Sequence, residues 1–392
     1  MTKKAPVDQA NSAPPEKVRF RRFLGYFLSL GAFGFGGPIA TVGYMQRDLV
    51  ERRRWLDRED FLNGVALGQT MPGPLAAQVA MWVGFLQRGA LGALAVAAAF
   101  VLPSFLIVVG LGFVYVRYQG LPWVQAVFYG IAPAIMAIIA IAAVKLARLT
   151  NKSDLRLWAI SAIILVITAA TGAEIALLFI AAGLLMVVWD APPPFLRRPK
   201  LASFSLPLLA PGLAAGAASP NTLRDLFLFF LKAGAFIFGS GLAIVPFLRE
   251  GVVNQHHWLS PSQFLDAVAV GLITPGPVVI TAAFIGYLVA GLLGAVIASV
   301  GIFTPIYAGV VIPGRWFIRH RRNAQIQAFV KGATAAAAGA IGGATIVLTQ
   351  QAVRDAATAA IAVVSLGLLL RFKVKEPLLV LLAASAGFAI HH

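Results

Sequence analysis

The segment Phe27–Pro74 recurs without a gap as Phe230–Pro277. Matched pairs include Gly31/Gly234, Phe35/Phe238, Gly36/Gly239, Trp55/Trp258, Gly68/Gly271 and the tripeptides Pro72-Gly73-Pro74 and Pro275-Gly276-Pro277. With one residue of slip the match continues through Gly84/Gly286, Gly89/Gly291 and Pro103/Pro305. A chain that carries one pattern twice must fold as two related units. Each unit also interrupts apolar sequence with Gly and Pro at matched places. In a membrane chain this is the best sequence-level pointer to a transport site.

The membrane reading follows from composition. Hydrophobic residues make up 59% of the chain and charged residues 12%, with mean hydropathy +0.84. A soluble domain carries about 25% charged residues. Apolar runs near the length that spans a bilayer recur from Phe23 onward. The polar stretch Met1–Glu16 lacks the apolar core of a signal peptide and is expected to stay on as a disordered tail. The net charge of +17 fits the cytoplasmic positive bias of a multi-pass membrane protein better than a nucleic-acid binder. Cysteine is absent, which excludes disulfides and thiolate chemistry. The His residues have no metal-ligand spacing and there is no phosphate loop, so neither an enzyme, a metal nor a cofactor is expected.

The basic residues then set the topology. If Phe23–Tyr44 crossed the membrane once, Arg47, Arg52, Arg53, Arg54 and Arg58 would lie opposite the basic N-terminal segment, against the positive-inside bias. The conflict disappears if Phe23–Val50 enters and returns, folding at Gly36-Gly37-Pro38, and Phe61–Gln87 does the same at Pro72-Gly73-Pro74. Proline ends or kinks a helix and glycine permits the reversal. The expected fold is an all-α polytopic membrane protein of two homologous halves in inverted topology. Each half has two Gly/Pro-broken re-entrant hairpins followed by spanning helices. The expected divisions are a basic tail at 1–19, a first repeat at 20–190, a linker at 191–221 with a short extra membrane segment at Leu206–Ser219, and a second, inverted repeat at 222–392. The N-terminus is placed in the cytoplasm of a bacterial inner membrane, with lipid as a partner; a homodimer is compatible with the sequence.

Irregular backbone at membrane depth survives only where protein or a wet cavity covers it. The matched breaks at Gly36-Gly37, Pro72-Gly73-Pro74, Gly239-Ser240-Gly241 and Pro275-Gly276-Pro277 therefore mark a buried site. First-turn N–H groups after Pro74 and Pro277 lack intrahelical acceptors and sit at the positive end of the helix dipole, which suits an anion. Gln69, Thr70 and Thr274 precede the breaks, and Gln78 and Thr281 follow at equivalent positions; these can bind an oxyanion or simply tie helices together. Lys232 and Lys331 stand in apolar stretches and could counter an anion's charge or snorkel to an interface. Asp60 and Asp266 are the proton-coupling candidates, Asp60 being the more natural helix cap.

Phe33-Gly34-Phe35-Gly36-Gly37-Pro38, Leu49-Val50-Glu51, Trp55 and Gln69-Thr70-Met71-Pro72-Gly73-Pro74 resemble the first half of the chromate ion transporter family in its long two-domain form. Phe230–Gly241 and Thr274-Pro275-Gly276-Pro277 resemble its second half. Gly239-Ser240-Gly241 departs from the Gly-Gly-Gly usual there by one hydroxyl. The resemblance implies an inner-membrane carrier that exports chromate by the proton motive force and confers chromate resistance. A carrier or channel for sulfate or molybdate is the alternative.

Overall fold

The computed structural model describes residues 18–35, 37–118, 121–171, 176–192, 222–237, 241, 244–320, 323–372 and 374–391. Most of the tail, most of the linker and its expected membrane segment lie outside the described residues, as do Gly36, Gly239 and Ser240.

The first repeat opens with α1 (Phe20–Phe33), which ends where Gly34 N–H closes on Leu30 C=O at 2.7 Å. After the break, α2 (Gly37–Met45) widens into a π-helical turn at Gln46–Arg52. Next comes α3 (Arg58–Thr70), whose N-cap is Asp57, accepting from Glu59 N–H at 2.7 Å. Asp60 therefore lies in the first turn and is not the cap. The repeat continues with α4 (Leu75–Tyr118), α5 (Pro122–Asn151), α6 (Leu155–Thr171) and α7 (Ala176–Asp190).

The second repeat follows the same order. It comprises α8 (Thr222–Ala235), α9 (Ile244–Arg249) with a π turn at Glu250–Gln255, α10 (Pro261–Ile273), α11 (Thr281–Val311) after a 3₁₀ turn at Val278–Ile280, and a short α12 (Gly314–His320). It closes with α13 (Ala324–Ala352), α14 (Ala356–Gly367) and α15 (Glu376–His391). Ser260 and Gln263 start α10 with a reciprocal capping box, and Asp355 and Thr358 start α14 the same way.

The repetition reaches individual backbone angles. Arg54 and His257 hold φ of +49° and +51°. Trp55 N–H bonds Leu49 C=O at 2.8 Å, and Trp258 N–H bonds Val252 C=O at 2.8 Å. Inside α4, Arg88 and Gly89 leave helical geometry (φ −146° and +60°). Inside α11, Ala290 and Gly291 do the same (φ −145° and +60°). These are chain reversals. A Cβ on Gly84 would stand 2.5 Å from the carbonyl oxygen of Gly92, and Gly286 meets Gly294 in the same way. Residues eight apart in a straight helix are about 12 Å apart along the axis, so the two arms must fold back on each other.

Among the described residues four helices are long and apolar enough to cross a membrane: those containing α4, α5, α11 and α13. Their outward faces carry large apolar side chains, such as Leu91, Leu102, Leu106 and Phe113 on α4. Packing divides the helices in an unexpected way. α1 lies on α4 and α8 on α11, and α4 meets α11. However, α6 and α7 pack on α13 of the other repeat, while α14 and α15 pack on α5. Small residues permit these approaches. Gly339 touches the backbone of Ser161, Gly332 that of Ala182, and Gly130 that of Ala383 and Gly387. The repeats are thus exchanged. One body gathers α1–α4 with α8–α12, and the other gathers α5–α7 with α13–α15.

Candidate functional site

Pro72-Gly73-Pro74 separates α3 from α4, with Gly73 at φ +141°. The ends of helices leave backbone groups without intrahelical partners. Here Gln78, fully buried, turns back and donates its amide N–H to the carbonyls of Pro72 (2.8 Å) and Met71 (3.3 Å). Its Oε1 has no partner among the described residues. The first backbone bond of α4 runs from Gln78 N–H to Pro74 C=O at 3.1 Å. The amides of Leu75, Ala76 and Ala77 precede it and have no acceptor within the helix.

In the second repeat Gly276 holds φ +92°, and the helix restarts as a 3₁₀ turn before α11. Thr281, the match of Gln78, gives its hydroxyl to Val278 C=O at 2.8 Å. Thr70 and Thr274 likewise bond carbonyls one turn back, Ala66 at 2.7 Å and Val270 at 2.9 Å.

The breaks meet across the repeats. Gly73 N–H bonds Ile237 C=O at 2.6 Å, two residues before the Gly239-Ser240-Gly241 break. A Cβ on Gly241 would lie 3.5 Å from Val278 Cβ and 3.9 Å from Pro74 Cβ, so the two helix starts flank one residue. The cross-packing is reciprocal. Gly73 faces Ile306 of α11, and Gly276 faces Ser104 of α4, with no room for a Cβ beside the Ser104 hydroxyl. Ser104 and Ile306 directly follow the matched Pro103 and Pro305 and are themselves equivalent. Neither was singled out from sequence, although the matched prolines point to them.

Other expected residues lie elsewhere. Gln69 is exposed and Gly37 opens α2 at φ +74°. Lys232 is exposed near the end of α8, its Nζ 5.9 Å over the Phe247 ring. Lys331 is 55% exposed and faces Asp190 at 3.9 Å, where Arg156 also pairs at 2.9 Å. Asp60 is exposed, and its backbone carbonyl accepts from Trp82 Nε1 at 2.9 Å.

Asp266 lies in a different setting. Tyr115 of α4 donates its hydroxyl to Asp266 Oδ2 at 2.6 Å. Both border a cavity of about 490 Å³ between α4, α5, α10 and the end of α13, whose polar lining includes Gln125, Tyr129, Ser260, Ser262, Gln263 and Arg354. Sequence patterning does not reveal Tyr115, because its partner lies more than a hundred residues away.

Broken helices that meet from two repeats, in a bundle with membrane-spanning lengths, define a repeat-built polytopic membrane protein. The chain belongs to the chromate transporter family, whose model matches residues 22–188 and again 224–388. It is 50% identical over 378 residues to the chromate transport protein of Cupriavidus metallidurans, covering 95% of this chain and 94% of that one. It is 49% identical over 366 residues to a probable chromate transport protein of Synechococcus elongatus, covering 92% and 93%. A chromate transport protein of Pseudomonas aeruginosa is 29% identical over 361 residues, covering 88% and 84%. No solved structure matches the chain significantly.

The exposed Lys331–Asp190 contact carries an expected result. Such pairs contribute about 0.2–1 kcal/mol. Lys331→Met should therefore leave transport in membrane vesicles within about twofold of wild type; a tenfold loss would return Lys331 to the anion path.

Proposed function

We propose that this protein is a secondary transporter that exports chromate from the cytoplasm, driven by the proton motive force, by alternating access. The convergence of the Pro74 and Val278 helix starts on Gly241 carries the reading. The first-turn N–H groups of the two helix starts that flank Gly241 lie at the positive ends of their helix dipoles and suit a tetrahedral dianion. The proposed site comprises Gly36, Gly37, Thr70, Pro72-Gly73-Pro74, Gly239-Ser240-Gly241, Thr274 and Pro275-Gly276-Pro277, with Gln78 holding the first break open.

The inverted, re-entrant arrangement belongs to this proposal. Reciprocal packing of each Pro-Gly-Pro on the other repeat's long helix supports it, as does the charge pattern, which places the N-terminus and most basic loops in the cytoplasm. Those loops draw the anion inward to the site. Because the repeats are exchanged, the moving bodies are not the sequence halves. The broken helices α1–α4 and α8–α12 move as one body against α5–α7 and α13–α15.

Radiolabelled chromate uptake into inverted membrane vesicles tests this, with and without a proton gradient and with excess sulfate or molybdate. Gradient-dependent uptake is expected. Failure of chromate to enter while sulfate or molybdate does would assign the site to another anion.

A further inference from the structure

We propose that the cavity between α4, α5, α10 and the end of α13 is a proton port, and that Asp266 is the group it loads, positioned by Tyr115. The inference rests on the proton-coupled reading above and names the carrier that reading requires.

Asp266 and Tyr115 form a pair that occurs once. The repeat equivalent of Asp266 is Asn63, and that of Tyr115 is Phe317. Phe317 and Asn63 are both buried. Asp266 is only partly covered, and its cavity of about 490 Å³ is large enough for several waters. A group that exchanges protons with one side of a membrane needs such wet access, and an ionisable residue within membrane helices is a functional candidate by default.

The lining suits a proton path. At the start of α10 it presents Ser260, Ser262 and Gln263, where the first repeat carries Asp57, Glu59 and Asp60. The hydroxyls of Ser260 and Ser262 stand 3.0 Å apart. Among the described residues the charged side chains that line the cavity are Asp266 and Arg354. Arg354 is held by its Nε on Gln351 C=O at 3.1 Å. Across the cavity Tyr129 donates to Asp355 Oδ2 at 2.6 Å. Asp355 also accepts from Thr358 N–H at 2.8 Å. The Thr358 amide, and after it the Tyr129 hydroxyl, hold the Asp355 carboxyl below the usual range, so Asp355 stays ionised and leaves Asp266 to titrate.

The position also couples the two bodies. Asp266 and Tyr115 belong to the broken-helix body, whereas Tyr129 and Arg354 belong to the other. The ionised Asp266 accepts the Tyr115 proton donor on Oδ2 and takes one proton per cycle on its free oxygen from cavity water. It releases that proton to water on the other side of the membrane when the broken-helix body has moved and the cavity has closed.

The test uses the full chain in proteoliposomes with radiolabelled chromate. Gradient-driven uptake is measured beside chromate–chromate exchange, which needs no net proton flow. Asp266→Asn installs the residue of the matched position, so the local shape is one this protein already builds. It should lower gradient-driven uptake at least tenfold while exchange stays within about fivefold. Tyr115→Phe, also the matched residue, should shift the pH profile of uptake by at least half a unit and leave its maximum within threefold. Retained gradient-driven uptake in Asp266→Asn overturns the inference, as does an equal loss of exchange, which would make Asp266 part of the anion path or the fold. If wild-type uptake ignores the proton gradient, the coupled reading fails and the inference falls with it.

Discussion

Gly276→Ala is expected to abolish chromate uptake, and adding Ser104→Ala should restore a measurable part of it. At φ +92° an L side chain is strained, at a cost of about 1–3 kcal/mol. The new Cβ would also occupy the place of the Ser104 hydroxyl. Removing that hydroxyl relieves the collision and leaves the strain, so rescue is partial. Gly73→Ala should also lose uptake, because at φ +141° its Cβ would stand 2.8 Å from the Gln78 amide that bonds the Pro72 carbonyl and 3.1 Å from Ile306 Cγ2. Vesicle uptake, normalised to inserted protein, reads all three variants. Wild-type rates in Gly276→Ala would show that the second break does not shape the anion site.

Gly130→Leu is expected to prevent α15 from seating on α5. A Cβ at Gly130 would stand 2.7 Å from the backbone nitrogen and Cα of Gly387. Backbone cannot give way as a side-chain tip can, and overpacking of this kind costs about 1–3 kcal/mol or more. The result should be aggregation in detergent or a melting temperature lower by several degrees. Gly110→Leu is the control: nothing lies within 4 Å of its Cβ position, so its folding should match wild type. Equal behaviour of the two variants would refute close contact of α5 and α15.

The sequence made the breaks readable because proline and glycine act locally. Gly89, with Arg88 beside it, sits where the basic-residue argument required the chain to turn, and the structure reverses there. The family was readable too, from motifs whose spacing survives in both repeats. The fate of Lys232 was partly readable. Leu226, Phe229, Phe230, Ala233 and Gly234 form the buried stripe of α8, and helical phase puts Lys232 off that stripe. The capping of α3 by Asp57 rather than Asp60 depended on a boundary three residues earlier than expected. Partners across the repeats, such as Gly276 with Ser104 and Tyr115 with Asp266, leave no mark in periodicity, because they are set by how distant helices pack.

The exchange of α6–α7 for α14–α15 also governs how the molecule can be made. When α6 and α7 leave the ribosome, the surface that will hold them, on α13, has not yet been synthesised. The first repeat must wait in the lipid with two helices undocked, and the second body closes only when α13–α15, at the end of the chain, have been made. By the same geometry, a polypeptide holding just one repeat would have its binding surface bare and its terminal helices unplaced. Two such polypeptides would supply each other's missing partner.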